Sequence, residues 1–267
     1  MLKIGAGIVG LALVAAIIGP SITPFDPARQ ELAARLASPS LAHPFGLDEL
    51  GRDILARVLA GARISFLVGF TVVTVSTVVG TLLGAVAGYL GGRVDEVISR
   101  VIDVLLAFPG LLLAIALVAV LGPSLSNVLL ALTLIGWVGS ARLVRGQVLR
   151  ARELDFVHAA RALGAGTTRI LWKHIIPTAI PALVVQATLG MAGAVIAEAS
   201  LSFLGLGVQP PIPSWGTMLN GGRPHILDAP HLTLFPGLAI AALVLGFNFL
   251  GDGLRDRADP RSMTGGV

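Results

Sequence analysis

The sequence predicts an all-α membrane protein with six transmembrane helices, and three observations support this fold class. Of the 267 residues, 55% are hydrophobic and only 13% are charged. The mean hydropathy of +0.87 lies far above that of an average soluble domain. Charge-free stretches of about 20 residues, the length that crosses a bilayer, recur along the chain, and they are continuous apolar runs rather than alternating ones.

The first predicted span covers residues 4–25. It resembles a signal peptide because Lys3 precedes it, yet no small-x-small cleavage site and soluble chain follow, so we expect an uncleaved helix. A Gly5-Ala-Gly7-Ile-Val-Gly10 pattern lies inside this span. It lacks the preceding strand and βαβ unit that a dinucleotide-binding site requires.

The positions of the charges predict the other five spans. These are residues 64–92, two within 104–141, 175–197 and 232–251. Gly122-Pro123-Ser124 divides the longest interval as a hairpin, and the third helix is expected to begin near Val97. Pro109 lacks a backbone N–H, so we expect it to kink this helix.

Three glycines at intervals of four residues, Gly80, Gly84 and Gly88, lie within the second span. Helices in lipid associate closely where small residues repeat in this way. We therefore expect this row to pack against another helix.

Two segments are expected on the outer side of the membrane. Within residues 20–63, the stretch 47–63 has apolar residues on one helical face and charges on the other. It is either a helix lying on the outer interface or a solvated packing helix that caps the bundle. In residues 202–231, three closely spaced prolines predict a rigid loop. The expected organisation is an N-terminal segment (1–62), a transmembrane domain (63–255) and a C-terminal tail (256–267).

Lysine and arginine set the expected orientation. Thirteen of the nineteen, including Arg261, fall on the side that holds both termini and residues 142–177. By the positive-inside rule this side is the cytoplasm. Retention beside the membrane explains the basic composition better than nucleic-acid binding does.

Common catalytic and metal-binding patterns are absent from the sequence. There is no cysteine, no G-x-x-x-x-G-K-[ST] loop for ATP and no G-x-S-x-G, and the five histidines lack the spacing of metal ligands. We therefore expect neither a catalytic nor a metal site, and no cofactor held by this chain.

Three polar residues within spans, Gln186, Glu198 and Asn248, are candidates for a translocation path, because intramembrane polar groups usually face an aqueous path or the bundle interior. Hydrogen bonding between helices is the alternative role. No acid lies at the centre of a span, which disfavours an ion-coupled secondary transporter.

The basic segment, residues 142–177, holds seven of the nineteen Lys and Arg residues. A short helix is predicted over 154–163, ended by Gly164-Ala165-Gly166, with Thr167 capping a second helix. Ala159 and Ala160 keep the first helix slim. We expect it to fit a groove in a cytoplasmic partner.

From HPFGLDELGRD at residues 43–53 to FNFLGDGLRD at 247–256, about four-fifths of the chain resembles the C-type inner-membrane permease of bacterial dipeptide, oligopeptide and nickel ABC importers. The matching stretches are DVLLAFPGLLLA, SARLVRG, AARALGA, HIIP, AEASLSFLGLGVQPPIPSWG and FPGLAI.

The resemblance implies a type I ABC importer permease fold with a cytoplasmic coupling helix, located in the inner membrane. It also implies a second permease, two ATP-binding subunits that hold ATP and Mg, and an external solute-binding protein. The family's EAA-x-x-x-G signature falls on His158, Ala159, Ala160 and Gly164. Since His158 replaces the glutamate, docking is expected to depend on helix shape and Arg161, and on pH if His158 contacts the ATPase.

Two other classes remain as alternatives at this point. One is a secondary transporter or channel that works alone, and the other is an assembly protein without a transport path. Uptake driven by an ion gradient would favour the first. Substitutions of Gln186, Glu198 and Asn248 that leave transport unchanged would favour the second.

Overall fold

A computed structural model describes residues 1–258, which fold as a bundle of α-helices. In chain order these helices are α1 (Leu2–Ile22), α2 (Ile54–Leu90), α3 (Gly92–Leu106), α4 (Gly110–Leu121), α5 (Leu125–Ala151), α6 (Asp155–Ala162), α7 (Thr167–Ile170), α8 (Ile176–Phe203), α9 (Trp215–Gly222) and α10 (His231–Ala258). A π-helical turn, Leu171–Ile175, joins α7 to α8.

The parallel pair α2 and α5 forms the centre of the bundle. Gly80 lies against Trp137, and Gly88, two turns further along α2, lies against Arg145. A Cβ at Gly84 between them would overlap a backbone carbonyl of α5. Glycine therefore lets the two backbones approach more closely than any side chain would.

Six membrane passes follow from this pairing. Within residues 1–258, five helical stretches are long and apolar enough to cross a bilayer, and α3 with α4 passes the same test as a pair bent by 85°. Because α2 and α5 run in the same direction, α3 and α4 must return the chain across the bundle between them. The predicted six-helix fold is confirmed, with the third pass sharply bent next to Pro109.

The structure differs from the prediction at residues 47–63, where no separate amphipathic helix forms. Instead, α2 runs unbroken for 37 residues from Ile54 to Leu90, through residue 62, where the sequence placed a domain boundary. Asp53 caps its start, because Oδ1 accepts a hydrogen bond of 2.7 Å from the backbone N–H of Ala56. Arg52 and Arg57, expected on a solvated face, are only 8% and 5% exposed.

The chain between α5 and α8, residues 152–175, is called the central loop below. Gly19 near the end of α1 lies against Leu59 near the start of α2, and Gly5 lies against Leu250 of α10. The first residues of α1 and the last of α10 therefore lie at the end of the bundle that carries the central loop, which we call the loop end. Helix α10 continues to Ala258, past the predicted start of the tail. Residues 259–267, including Arg261, lie outside the described part of the chain.

Candidate functional site

Helix α6 is the part of the central loop that stands out from the bundle. Val157 is fully buried and anchors it, in a cluster with Ile170 and Ile175 of the following segment and Val148 of α5. One buried apolar side chain therefore holds a short helix whose remaining surface faces outward.

The predicted coupling residues are mostly at the surface of the loop. His158, Ala159 and Arg161 are exposed, and Ala160 is half-buried. Leu163 at the end of the helix is 89% exposed. Together these residues present a small, basic and partly apolar surface.

Gly164 turns the chain away from α6. Its φ is +80°, a conformation that side chains other than glycine rarely adopt. The N–H of Ala165 donates to the carbonyl of Ala160 at 3.0 Å, which closes the last turn of the helix. The predicted cap at Thr167 is replaced, because Gly166 occupies the N-cap position of α7 and Thr167 is its first helical residue.

Two arginines, Arg145 of α5 and Arg152 of the central loop, connect the loop end of the bundle to helices α2 and α3. Arg145 forms a bidentate salt bridge with Asp95 of α3, in which Nε donates to Oδ1 at 2.5 Å and Nη2 donates to Oδ2 at 2.7 Å. Arg152 donates from Nη1 to the carbonyl of Gly88 at 3.0 Å. Movement of the central loop would therefore reach α2 through Arg152, and movement of α5 would reach α3 through Arg145.

A second feature is a cavity of about 280 Å³ between α2, α4, α5 and α8, which we call the central cavity. Its polar lining residues are Ser76, Thr77, Ser140 and Gln186. Among the described residues that line it, none carries a charge. It can therefore accept polar groups without offering an ion pair.

Of the three predicted path residues, the structure places only Gln186 in the central cavity. Glu198 is fully buried near the other end of α8, where it accepts a 2.6 Å hydrogen bond from the hydroxyl of Ser202. Its Oε2 has no hydrogen-bond partner among residues 1–258. Asn248 lies on α10, half-buried and away from the cavity lining.

A buried cluster of charges lies at the opposite end of the bundle. Asp48 accepts from Nε of Arg52 at 2.6 Å and lies 3.3 Å from Nε of Arg57. Arg57 also donates to the carbonyl of Pro27 at 3.1 Å. The cluster ties the segment before α2 to the helix itself.

Sequence reasoning missed Ser140, the glycines of the cavity wall and the Asp95–Arg145 pair. A small-residue signal for the wall exists in the stretch Gly136-Trp-Val-Gly139-Ser140. Nothing in the sequence pairs Asp95 with a residue fifty positions away, since that contact depends on how α3 lies against α5.

A six-pass helical bundle with a neutral central cavity and an exposed helical loop is the architecture of a membrane transport permease. Residues 80–263 match the family described as the inner membrane component of binding-protein-dependent transport systems. The chain belongs to this family, and it is a permease subunit of an ABC importer rather than a catalytic subunit. Permeases of this family work with a second permease and with ATPase subunits.

Curated relatives align over nearly the whole chain. The chain is 47% identical over 259 residues to the dipeptide transport system permease protein DppC of Alkalihalophilus pseudofirmus, covering 95% of this chain and 85% of that protein. It is 49% identical over 259 residues to the glutathione transport system permease protein GsiD of Salmonella typhimurium, covering 97% and 86%.

A solved structure supports the fold independently. The chain is similar to the MetNI methionine ABC transporter in an inward-facing conformation, with a TM-score of 0.58 and 20% sequence identity. The match covers 77% of this chain and 96% of that one. At this identity the likeness concerns the fold alone.

Proposed function

We propose that this chain forms half of the translocation path of an ATP-driven importer for di- or oligopeptides or a related small solute such as glutathione. The names of its relatives support the solute class, and a neutral cavity that holds Gln186 is consistent with it. Glu198 and Asn248 are proposed to contribute to the path only where it extends beyond this cavity.

The exposed surface of α6 is the proposed docking site for an ATP-binding subunit. His158, Ala159, Ala160, Arg161 and Gly164 define it, and the observation that carries the proposal is Leu163, which is 89% exposed at the tip of a well-anchored helix. A groove in a partner would cover such a side chain. ATP and Mg are held by the partner subunits, because this sequence has no loop for them.

The loop end is proposed to face the cytoplasm of a bacterial cell, with both termini, and the opposite end to meet an external solute-binding protein. Closure of the ATPase subunits would then move α6, and α5 with it, between inward and outward states. Reversing a 1:99 equilibrium requires about 5.5 kcal/mol of differential binding. Such an energy can be transmitted only through a firmly docked loop.

Ala159→Trp tests the docking site. The bulky indole on the exposed face of α6 is expected to reduce ATP-driven dipeptide uptake in vesicles by about tenfold or more, as overpacking typically costs 1–3 kcal/mol. Less ATPase should also copurify with the chain.

Ala42→Trp is the matched control, because Ala42 is an exposed alanine before α2, at the opposite end. It should leave copurification of the ATPase unchanged. If both variants lose copurifying ATPase to the same extent, or if Ala159→Trp loses none, the docking site is contradicted. Uptake that survives ATP depletion and follows an ion gradient contradicts the proposed function as a whole.

A further inference from the structure

We propose that Arg169, Trp172 and Lys173, on the exposed side of the turn before α8, bind the anionic headgroups of membrane lipids. These three residues are called the interfacial face below. This surface is separate from the docking site on α6, and its partner is the lipid bilayer rather than an ATP-binding subunit.

The interfacial face is one side of an amphipathic turn. Arg169 and Lys173 are exposed, and Trp172 is 52% exposed. The apolar side chains of the same turn are at most 9% exposed, and these are Ile170, Leu171 and Ile175. They belong to the buried cluster that also anchors α6. The turn is therefore fixed to the bundle by its apolar side, and the interfacial face points away from it.

The position of this turn along the chain places it at the edge of the bilayer. Helix α7, the π-helical turn and α8 form one helical stretch, Thr167–Phe203, of 37 residues. Such a stretch is about 55 Å long, whereas the hydrocarbon core is about 30 Å thick. No Asp, Glu, Lys or Arg occurs between Lys173 and Glu198. The part that crosses the core therefore begins just after Lys173, and the interfacial face lies at the level of the headgroups.

The exposed indole of Trp172 suits that level. Of the three tryptophans in the chain, Trp215 is buried and Trp137 is half-buried. Within residues 1–258, Trp172 makes no hydrogen bond or ring contact with another side chain. Tryptophan is enriched at membrane–water interfaces, where its ring is apolar and its N–H group meets polar headgroups. A lipid interface therefore provides the surroundings that the bundle does not.

Charge complementarity favours anionic headgroups as the partner. Neither Arg169 nor Lys173 forms an ion pair within the described part of the chain. The sequence has no acid between Asp155 and Glu198 that could offset them. Each Lys or Arg held near an anionic membrane surface contributes about a fivefold preference for that surface. Two such cations beside an indole therefore match a negatively charged lipid surface.

The contact would give the start of α8 a fixed position at the membrane surface. Gly164, whose φ is +80°, turns the chain between α6 and this region. Helix α6 could then follow the ATP-binding subunits while the interfacial face stays with the lipid. This consequence rests on the proposed function, whereas the lipid contact itself does not.

Photocrosslinking in the complete transporter tests the lipid contact. Trp172→p-benzoylphenylalanine exchanges one aromatic side chain for a photoreactive one, and the vesicles contain equal amounts of phosphatidylglycerol and phosphatidylcholine. After irradiation, mass spectrometry of this chain identifies the attached molecule. We expect the phosphatidylglycerol product to exceed the phosphatidylcholine product by about fivefold or more. Adding Arg169→Gln and Lys173→Gln should bring the two yields close to equality.

Arg29→Gln combined with Arg35→Gln is the matched control. Both arginines are exposed and precede α2, at the opposite end of the bundle, so this variant removes the same charge from a distant place. It should keep the preference for phosphatidylglycerol. If the Trp172 variant does not assemble, Thr168→p-benzoylphenylalanine replaces it, because Thr168 is exposed one turn earlier.

Equal yields of the two lipids would overturn the proposal, as would a preference that survives the loss of both Arg169 and Lys173. Crosslinks to an ATP-binding subunit in place of lipid would also overturn it, and they would extend the docking site of α6 to this turn. Crosslinks to the second permease would assign the interfacial face to the contact between the two permeases. A fivefold preference for phosphatidylglycerol that only the Arg169 and Lys173 variant abolishes would confirm it.

Discussion

Asp48 is the residue on which the buried charges at the opposite end of the bundle converge. Besides the two arginines, its Oδ1 accepts hydrogen bonds of 2.9 Å from the backbone N–H groups of Leu50 and Arg52. In the sequence, the charges of residues 47–63 fall on one face of a predicted helix, which suggested a solvated face. Tertiary contacts with the chain near Pro27 bury it instead, and the arginines then need an acid as partner.

We expect Asp48→Ala to destabilise the protein by about 3 kcal/mol or more. The buried guanidinium of Arg57 loses the carboxylate 3.3 Å away, and Arg52 loses its bond to Asp48 and keeps only its contact with Glu49 at 3.0 Å. The melting temperature of the purified protein measures this loss. Glu96→Ala is the control, since Glu96 and Arg100 form an exposed pair at 3.9 Å that should contribute little. Equal melting temperatures for the two variants would show that Asp48 is not the centre of the cluster.

At the scale of the element, the bent pair α3 and α4 connects the loop end to the central cavity. Asp95 near the start of α3 is held by Arg145, and Gly110 and Leu111 at the start of α4 line the cavity. The bend next to Pro109 lies between these two contacts. The pair is thus placed to move a wall of the cavity when α5 moves.

Exchange of the two charges tests this link. We expect Asp95→Arg and Arg145→Asp each to lower uptake per ATP hydrolysed by about fivefold or more, the lower range of typical coupling energies. The double variant again has an ion pair, with the two charges exchanged between α3 and α5. It should recover most of the lost uptake per ATP hydrolysed. Uptake and ATP hydrolysis are measured together in proteoliposomes.

Glu96→Arg on the same helix is the control for this exchange, because its partner contact is long and exposed. It should leave the uptake per ATP near that of the unmodified protein. A double variant no better than the single ones would indicate that Arg145 acts through other neighbours.

At the scale of the whole molecule, the two ends of the bundle carry different features, and the orientation of the chain in the membrane determines which end faces the cytoplasm. The loop end carries the central loop and both described ends of the chain, whereas the opposite end carries the buried cluster around Asp48. The count of basic residues predicts that the loop end faces the cytoplasm.

Single cysteines in this cysteine-free chain test that orientation. An impermeant maleimide applied to intact cells should label Ala42→Cys, and Ala162→Cys only after permeabilisation, since both alanines are exposed at opposite ends. The reverse pattern would overturn the positive-inside assignment. Reaction of both positions after permeabilisation is the control for accessibility.

The sequence by itself determined the number of membrane passes, the hairpin at Gly122-Pro123-Ser124 and the short helix that ends at Gly164. These features depend on local properties: apolar length, the backbone limits of proline and glycine, and charge next to the membrane. They can therefore be predicted without knowledge of the tertiary contacts.

Only the tertiary structure decided which polar residues share a site. Gln186, Glu198 and Asn248 look alike in the sequence, yet one lines the central cavity, one is buried beside Ser202 and one lies on α10. Their surroundings depend on how α2, α5, α8 and α10 pack, and residues far apart in the chain set that packing. For the same reason, the sequence did not predict the Asp95–Arg145 pair or the burial of Arg57.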